Sequence, residues 1–312
     1  SSPPSSALEQ SLRRAVRKQK LARKDLKEKK PVHDVRVAFR RCRSLAEGFS
    51  VLDLHPVWQH LDKVCKKQLR GVSDLRDVQV IADWVRKLQL ARGSAGEKLT
   101  AALEKEQRKA RQEAAASLEG FPRKRLKRWQ HSLPARAELI PVGESRLALL
   151  ALERLAEVHA TDQQWRKTRS AAGWHKIRVA AKRFRYTIES FLPQQHAVSK
   201  RVLKRLQDIL GDGHDLDVLR EFILQLVREE HLAATTRERW LRRIERARRE
   251  RVERYEAALV PGAKAHHSRK GRSAPAGALP RIWDRWRVRL ARLARINPSD
   301  GAAPAKSAAT RA

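Results

Sequence analysis

Two histidines each open a row of basic residues at helical spacing. His33, Arg36, Arg40 and Arg43 lie in "VHDVRVAFRRCRSLAEGF". His175, Arg178, Lys182 and Arg185 lie in "WHKIRVAAKRFRYTIESF", which begins 142 positions later and shares eight of eighteen residues with the first stretch. Steps of three, four and three residues keep such a set within a sector of about 80° on an α-helix, so each set is one stripe. Neither stripe contains a carboxylate, although solvated helices normally alternate the two signs. Rows of guanidinium and ammonium groups bind anions. Each histidine falls in the first turn of its helix, where free backbone N–H groups and the positive dipole end favour an anion. Phosphate contact and helix-start packing are equally open to both rings. If they touch phosphate, protonation strengthens binding below their pKa.

The elements that carry these stripes have a second face. Rotated by about 100° from the first stripe lie Val32, Val35, Phe39, Cys42, Ala46 and Phe49. Their counterparts are Trp174, Ile177, Ala181, Phe184, Ile188 and Phe191. These are core faces. The repeat continues on the following helices at a separation of 138, where Lys63, Lys66 and Lys67 match Arg201, Lys204 and Arg205. Lysine in one copy where the other has arginine points to diffuse charge rather than bidentate geometry. Asp74, Asp77 and Val80 likewise match Asp212, Asp215 and Val218. The aspartates read as structural carboxylates that cap a helix or orient a neighbouring Arg or His. Metal binding is the lesser alternative, because "GDGHDLD" lacks the alternating order of a calcium loop.

Apolar residues recur at three- and four-residue steps almost throughout, and no stretch alternates like a strand, so the chain is expected to be all-α. A first basic helix spans about 7–30, and "KKPVHD" separates it from the His33 helix. "DLHP" and "GVSD" set off the next two helices, and another covers about 96–118. "EGFPRKR" and "PARAELIPVG" mark the end of a first half, residues 1–143. The second half, 144–260, repeats the order: a helix at about 144–170, the His175 helix, two helices separated by "LGDGHD", and a long basic helix at about 235–259. Residues 261–312 read as a linker, a short basic amphipathic helix near 281–296 and a disordered tail.

Composition narrows the partner. The 312 residues include 70 Lys and Arg against 35 Asp and Glu, a formal net charge of +35. Such self-repulsion calls for a polyanion, whether nucleic acid, an anionic membrane or polyphosphate. Cys42 and Cys65 are too few for a disulfide framework, and a buried free thiol is the expected state of Cys42. No apolar run is long enough to span a membrane, and "SSPPSSALEQ" has no signal-peptide pattern. A cytoplasmic protein is expected.

The paired motifs "HDVRVAFRRCR" and "HKIRVAAKRFR", followed by "SDLRDVQV" and "LQDILGDGHDLDV", resemble the signature of the CHAD domain (conserved histidine α-helical domain) over about residues 7–260. The resemblance implies two helical bundles related by a pseudo-twofold axis, with a basic surface between them. It also implies binding of inorganic polyphosphate and association with polyphosphate granules. The stripe residues of both histidine helices would line the site, aided by the basic residues of the helices that follow. Gln79 and His214 depart from the family pattern, and both are expected to alter local capping more than anion binding.

Other functions compete. Charge alone predicts nonspecific, salt-sensitive nucleic-acid binding, through the same stripes or through "RERWLRRIERARRERVER" at 237–254, although no nucleic-acid-reading motif is present. Catalysis and a cofactor are not expected. The nearest string to the E-x-E-x-K strand of the triphosphatase domains that often accompany CHAD domains is "EKEQR", and a helix there aims Glu104 and Glu106 about 200° apart. In "RIWDRWRVRLARLAR", Trp283, Trp286, Leu290 and Leu293 share one face. That face either packs back onto the bundle or contacts a protein partner or an anionic surface.

Overall fold

The computed structural model describes residues 3–259 and 281–295, and every element among them is an α-helix. α1 (Pro3–Lys24) packs on α2 (Lys29–Leu52), and α2 packs on α3 (Val57–Gly71). α4 (Ser73–Lys87) packs on α5 (Gly93–Glu119), and α6 (Arg123–Glu138) lies along α1. The same pattern follows in α7 (Glu144–Thr168), α8 (Ala171–Phe191), α9 (Pro193–Glu229), α10 (Ala234–Leu259) and α11 (Arg281–Leu293). α7 packs on α8 and α11, α8 on α9, and α9 on α10.

Three features differ from the sequence reading. α6 was not anticipated. The sequence shows "EGFPRKR" and "PARAELIPVG" as breakers, yet Leu126, Leu133 and Ala137 form an apolar row that packs inward, and the helix continues through Pro134. α1 ends at Lys24 rather than near residue 30 because Asp25 turns the chain, its Oδ1 accepting from the N–H groups of Lys27 and Glu28. The third difference is that "LGDGHD" does not separate two helices. α9 runs unbroken through it, whereas its first-half counterpart breaks at Val72 between α3 and α4. Gly213 is needed for close approach instead: a Cβ there would lie 2.5 Å from Nε1 of Trp174, which donates to the carbonyl of Leu210 at 3.0 Å.

The expected core faces are buried on both histidine helices. Phe49 stacks on Trp58 and meets Phe191 edge-on, with ring centroids 4.6 and 5.3 Å apart. Trp165, Trp174 and Tyr255 form a second aromatic cluster. The Tyr255 hydroxyl donates to buried Asp162 at 2.9 Å, and Arg166 closes the carboxylate from the other side at 2.8 Å. Cys42 and Cys65 are buried free thiols.

The two halves meet through α2 against α8 and α4 against α9. At the first contact the ion pairs are reciprocal: Arg41 reaches Glu189 at 2.7 Å, and Arg183 reaches Glu47 at 3.3 Å. Each partner is the other's equivalent in the repeat, as in an interface between two copies of one unit.

α11 stands to α7 as α6 stands to α1. Its tryptophans Trp283 and Trp286 are buried, and both rings meet Phe184 edge-on. The apolar face is therefore spent on the bundle, which leaves only the arginines for a protein partner or an anionic surface. The rest of the segment assigned to a linker and tail lies outside the described residues. Trp286→Ala is expected to destabilise the protein by about 3 kcal/mol, read as a lower urea midpoint. An unchanged midpoint would mean that α11 does not belong to the core.

Candidate anion-binding site

Where α2 and α8 lie side by side, the two stripes converge. Arg36 is largely covered, with 15 % of its side chain exposed, and its guanidinium stands 3.6 Å from Asp77 on α4. Burial, opposed by Asp77 and reinforced by Arg40, Arg178 and Arg76, brings its pKa down to about 10. Arg178 is held below the usual range by burial, against the pull of Asp215, with Arg40 adding repulsion. Lys182 is pushed well below the ordinary lysine value by burial and then by Arg178, Arg40 and Arg36. Four cations, two from each half, thus share one partly desolvated box. Among the described residues Asp77 and Asp215 are the carboxylates that offset them, and burial raises both carboxyls above their usual range. Among the described residues the Nε donors of Arg36 and Arg178 have no acceptor.

Asp77 and Asp215 lie inside α4 and α9, so they orient guanidinium groups rather than cap helices. Among the described residues no group of three or more His, Cys, Asp or Glu side chains is placed to hold a metal. His214 and Gln79 are also helix-interior residues, which corrects the expectation of altered capping. Gln79 is fully buried, and its repeat equivalent Asp217 pairs with Arg248 at 2.9 Å.

Both stripe histidines are exposed at the rim of the box. His33 is held below its ordinary pKa by burial and by Arg76, and Asp34 partly offsets this. His175 is lowered by burial, Arg178 and Lys182. Its Nδ1 lies 3.4 Å from that of His214, whose pKa burial, Arg178 and His175 bring down to about 3. Arg76 and His214 were not assigned to the site from sequence, though the 138-residue separation that pairs Asp77 with Asp215 pairs them as well. The first half therefore has a permanent cation where the second has a titratable ring.

The remaining predicted residues are placed further out. Arg43 is engaged by two carboxylates, Asp62 at 2.7 Å and Glu47 at 2.9 Å, whereas its counterpart Arg185 donates to neutral Gln207 at 2.6 Å. Lys63, Lys66 and Lys67 on α3, and Arg201, Lys204 and Arg205 on α9, are all exposed, and Lys204 pairs with Asp208 at 2.6 Å.

The family model of the CHAD domain matches residues 6–224, well over half of the chain. This protein belongs to the CHAD family. CHAD domains are associated with polyphosphate binding in general and are generally non-catalytic binding domains. The fold is similar to the crystal structure of the CHAD domain from the plant Ricinus communis, with a TM-score of 0.56 and 22 % identity over 84 % of this chain and 87 % of that one. No curated protein matches the chain. The family match ends inside α9; α10 and α11 lie beyond it and pack on α9 and α7. Among the described residues, no helix is long and apolar enough to cross a membrane.

Proposed function

We propose that this CHAD protein binds inorganic polyphosphate, without catalysis, at the box where α2 and α8 meet, and that binding directs it to polyphosphate granules in the cytoplasm. The observation that carries this reading is the convergence of Arg36, Arg40, Arg178 and Lys182, whose mutual repulsion an anion relieves. His33, Arg76, His175 and His214 flank the box. Lys63, Lys66, Lys67, Arg201 and Arg205 supply an exposed outer field, while Arg43 helps hold α3 in place. The reciprocal pairs between α2 and α8 support a pseudo-twofold relation between the halves.

The direct test is a salt titration of the full chain with long-chain polyphosphate. Affinity should fall steeply and linearly in log salt, as counterion release requires, and a flat response would refute the reading. The histidines add a pH signature. In the free protein each has a pKa below its ordinary value, so the unfolded chain binds more protons. Stability contributed in this way is complete above about 6.5 and declines as the pH falls towards 3. A bound polyanion favours the protonated rings, so affinity should instead rise on going from pH 8 to 6. Calorimetry in two buffers of different ionisation enthalpy should record proton uptake on binding, and His175→Gln should reduce it.

A further inference from the structure

Beyond the box, the two copies differ in sign at one place. In the first, Arg43 on α2 is neutralised by Asp62 and Glu47. Its counterpart on α8, Arg185, has neither partner. The separation of 138 that pairs Lys63 with Arg201 sets Lys200 in the place of Asp62, His196 in that of Trp58 and Gln207 in that of Leu69. Glu189, the counterpart of Glu47, is taken by Arg41 from α2 at 2.7 Å. A lysine thus stands where the sibling copy has its carboxylate, and Arg185 donates to a neutral amide at 2.6 Å. His196, Lys200 and Gln207 share one face of α9, at steps of four and seven residues, and α8 packs along that helix. Among the described residues, Nε of Arg41, Nε of Arg185, Oε2 of Glu189 and Nε2 of His196 are buried without a hydrogen-bond partner.

We infer that this junction of α8 and α9 is a second anion site, built for a phosphate that keeps one titratable hydroxyl: free orthophosphate or the end unit of a polyphosphate chain. Arg41, Arg185 and Lys200 supply charge-assisted donors, and Glu189 offsets one of the three charges. His196 is 8 % exposed. Burial, opposed by Glu189 and reinforced by Arg185, Lys200 and Arg41, holds its pKa below the ordinary value, so the ring is neutral at pH 7. The site therefore pairs cationic donors with an unused carboxylate oxygen, Oε2 of Glu189. An inner polyphosphate unit offers acceptors alone and would set its oxygens against that carboxylate. A free or terminal phosphate retains a weakly acidic hydroxyl, with a pKa of about 6 in a phosphate monoester, and can donate to it. Arg185 lies one turn past Lys182, about 4.5 Å further along the helix, so a chain seated in the box can end here. The chain-end form rests on the polyphosphate reading, whereas the orthophosphate form does not.

The experiment uses the full chain and three variants: Lys200→Asp, Arg185→Gln and, on the exposed surface of α5, Lys105→Asp, which matches the first in charge change. Each is titrated by calorimetry with orthophosphate, linear tripolyphosphate and cyclic trimetaphosphate, whose ring has inner units alone, and circular dichroism verifies the fold. The titrations are repeated in the Arg40→Gln with Lys182→Gln background, where the box is weakened. Lys200→Asp and Arg185→Gln should each lower tripolyphosphate affinity about tenfold or more, as expected for a lost charged hydrogen bond. Lys105→Asp, and trimetaphosphate throughout, should stay within about twofold of the parent chain. A matching loss for orthophosphate assigns the site to free phosphate, and a loss confined to tripolyphosphate assigns it to the chain end. Unchanged tripolyphosphate and orthophosphate binding in Lys200→Asp, or an equal loss for trimetaphosphate, would overturn the inference. If the box variant keeps its affinity for long-chain polyphosphate, the polyphosphate reading fails, and the response of orthophosphate to Lys200→Asp still decides this site.

Discussion

Arg40→Gln combined with Lys182→Gln is expected to weaken polyphosphate binding by at least about tenfold at physiological salt while making the free protein more stable. The two effects have opposite signs because they share one cause. Lys182 sits in a partly desolvated site facing Arg178, Arg40 and Arg36, and the fold disfavours its charge. Removing two of the four cations relieves that repulsion, a gain of about 1 kcal/mol, or roughly 2–4 °C in melting temperature for a chain of this size. The same removal deletes two phosphate contacts and should flatten the salt dependence by about 1.5 on a single-stranded scale. If melting temperature and affinity fell together, the four residues would be structural and the box would not be a binding site.

Gly213→Ala is expected to cost about 2 kcal/mol, whereas Gly211→Ala, two residues earlier in the same helix, should stabilise. Both glycines lie inside α9, where alanine is preferred by up to about 1 kcal/mol. A Cβ at 211 meets nothing within 4 Å, so that preference is realised there. At 213 the methyl would lie 2.5–2.8 Å from three atoms of the Trp174 indole, which is fully buried between α8 and α9 and cannot swing away. Overpacking of this kind costs about 1–3 kcal/mol, more than the helix preference returns. Urea denaturation of the two variants should move the midpoint in opposite directions. Equal shifts would show that the indole has room to move.

Much of this was legible in the residues. The 3-4-3 spacing that makes a stripe also makes the neighbouring apolar row, so the buried and cationic faces of α2 and α8 followed from helix geometry alone. Breakers were less legible. "LGDGHD" contains the same residues whether it turns a chain or lets a tryptophan approach a helix, and only the position of Trp174 decides. Pro134 hid α6 for a related reason: a proline within a short basic segment reads as an end, although Leu126, Leu133 and Ala137 keep the inward row on either side of it. The box needed both halves at once. Spacing within one helix could not tell that Arg36 would face Lys182, nor that Arg43, identical in type, would be taken up by Asp62 and Glu47. His214 was seen as a departure from a pattern, while its contact with His175 depends on how α8 crosses α9.

The reciprocal pairs of Arg41 with Glu189 and Arg183 with Glu47 have a consequence for how this chain can change over time. In an ordinary tandem duplication one copy is free to drift once the other suffices. Here two ion pairs cross from each copy to the other, and the box takes two cations from each. Loss in either copy removes a contact from its sibling, although Glu47 keeps Arg43 and Arg183 keeps Glu157. A change on either side of the α2–α8 contact is therefore felt by both histidine helices.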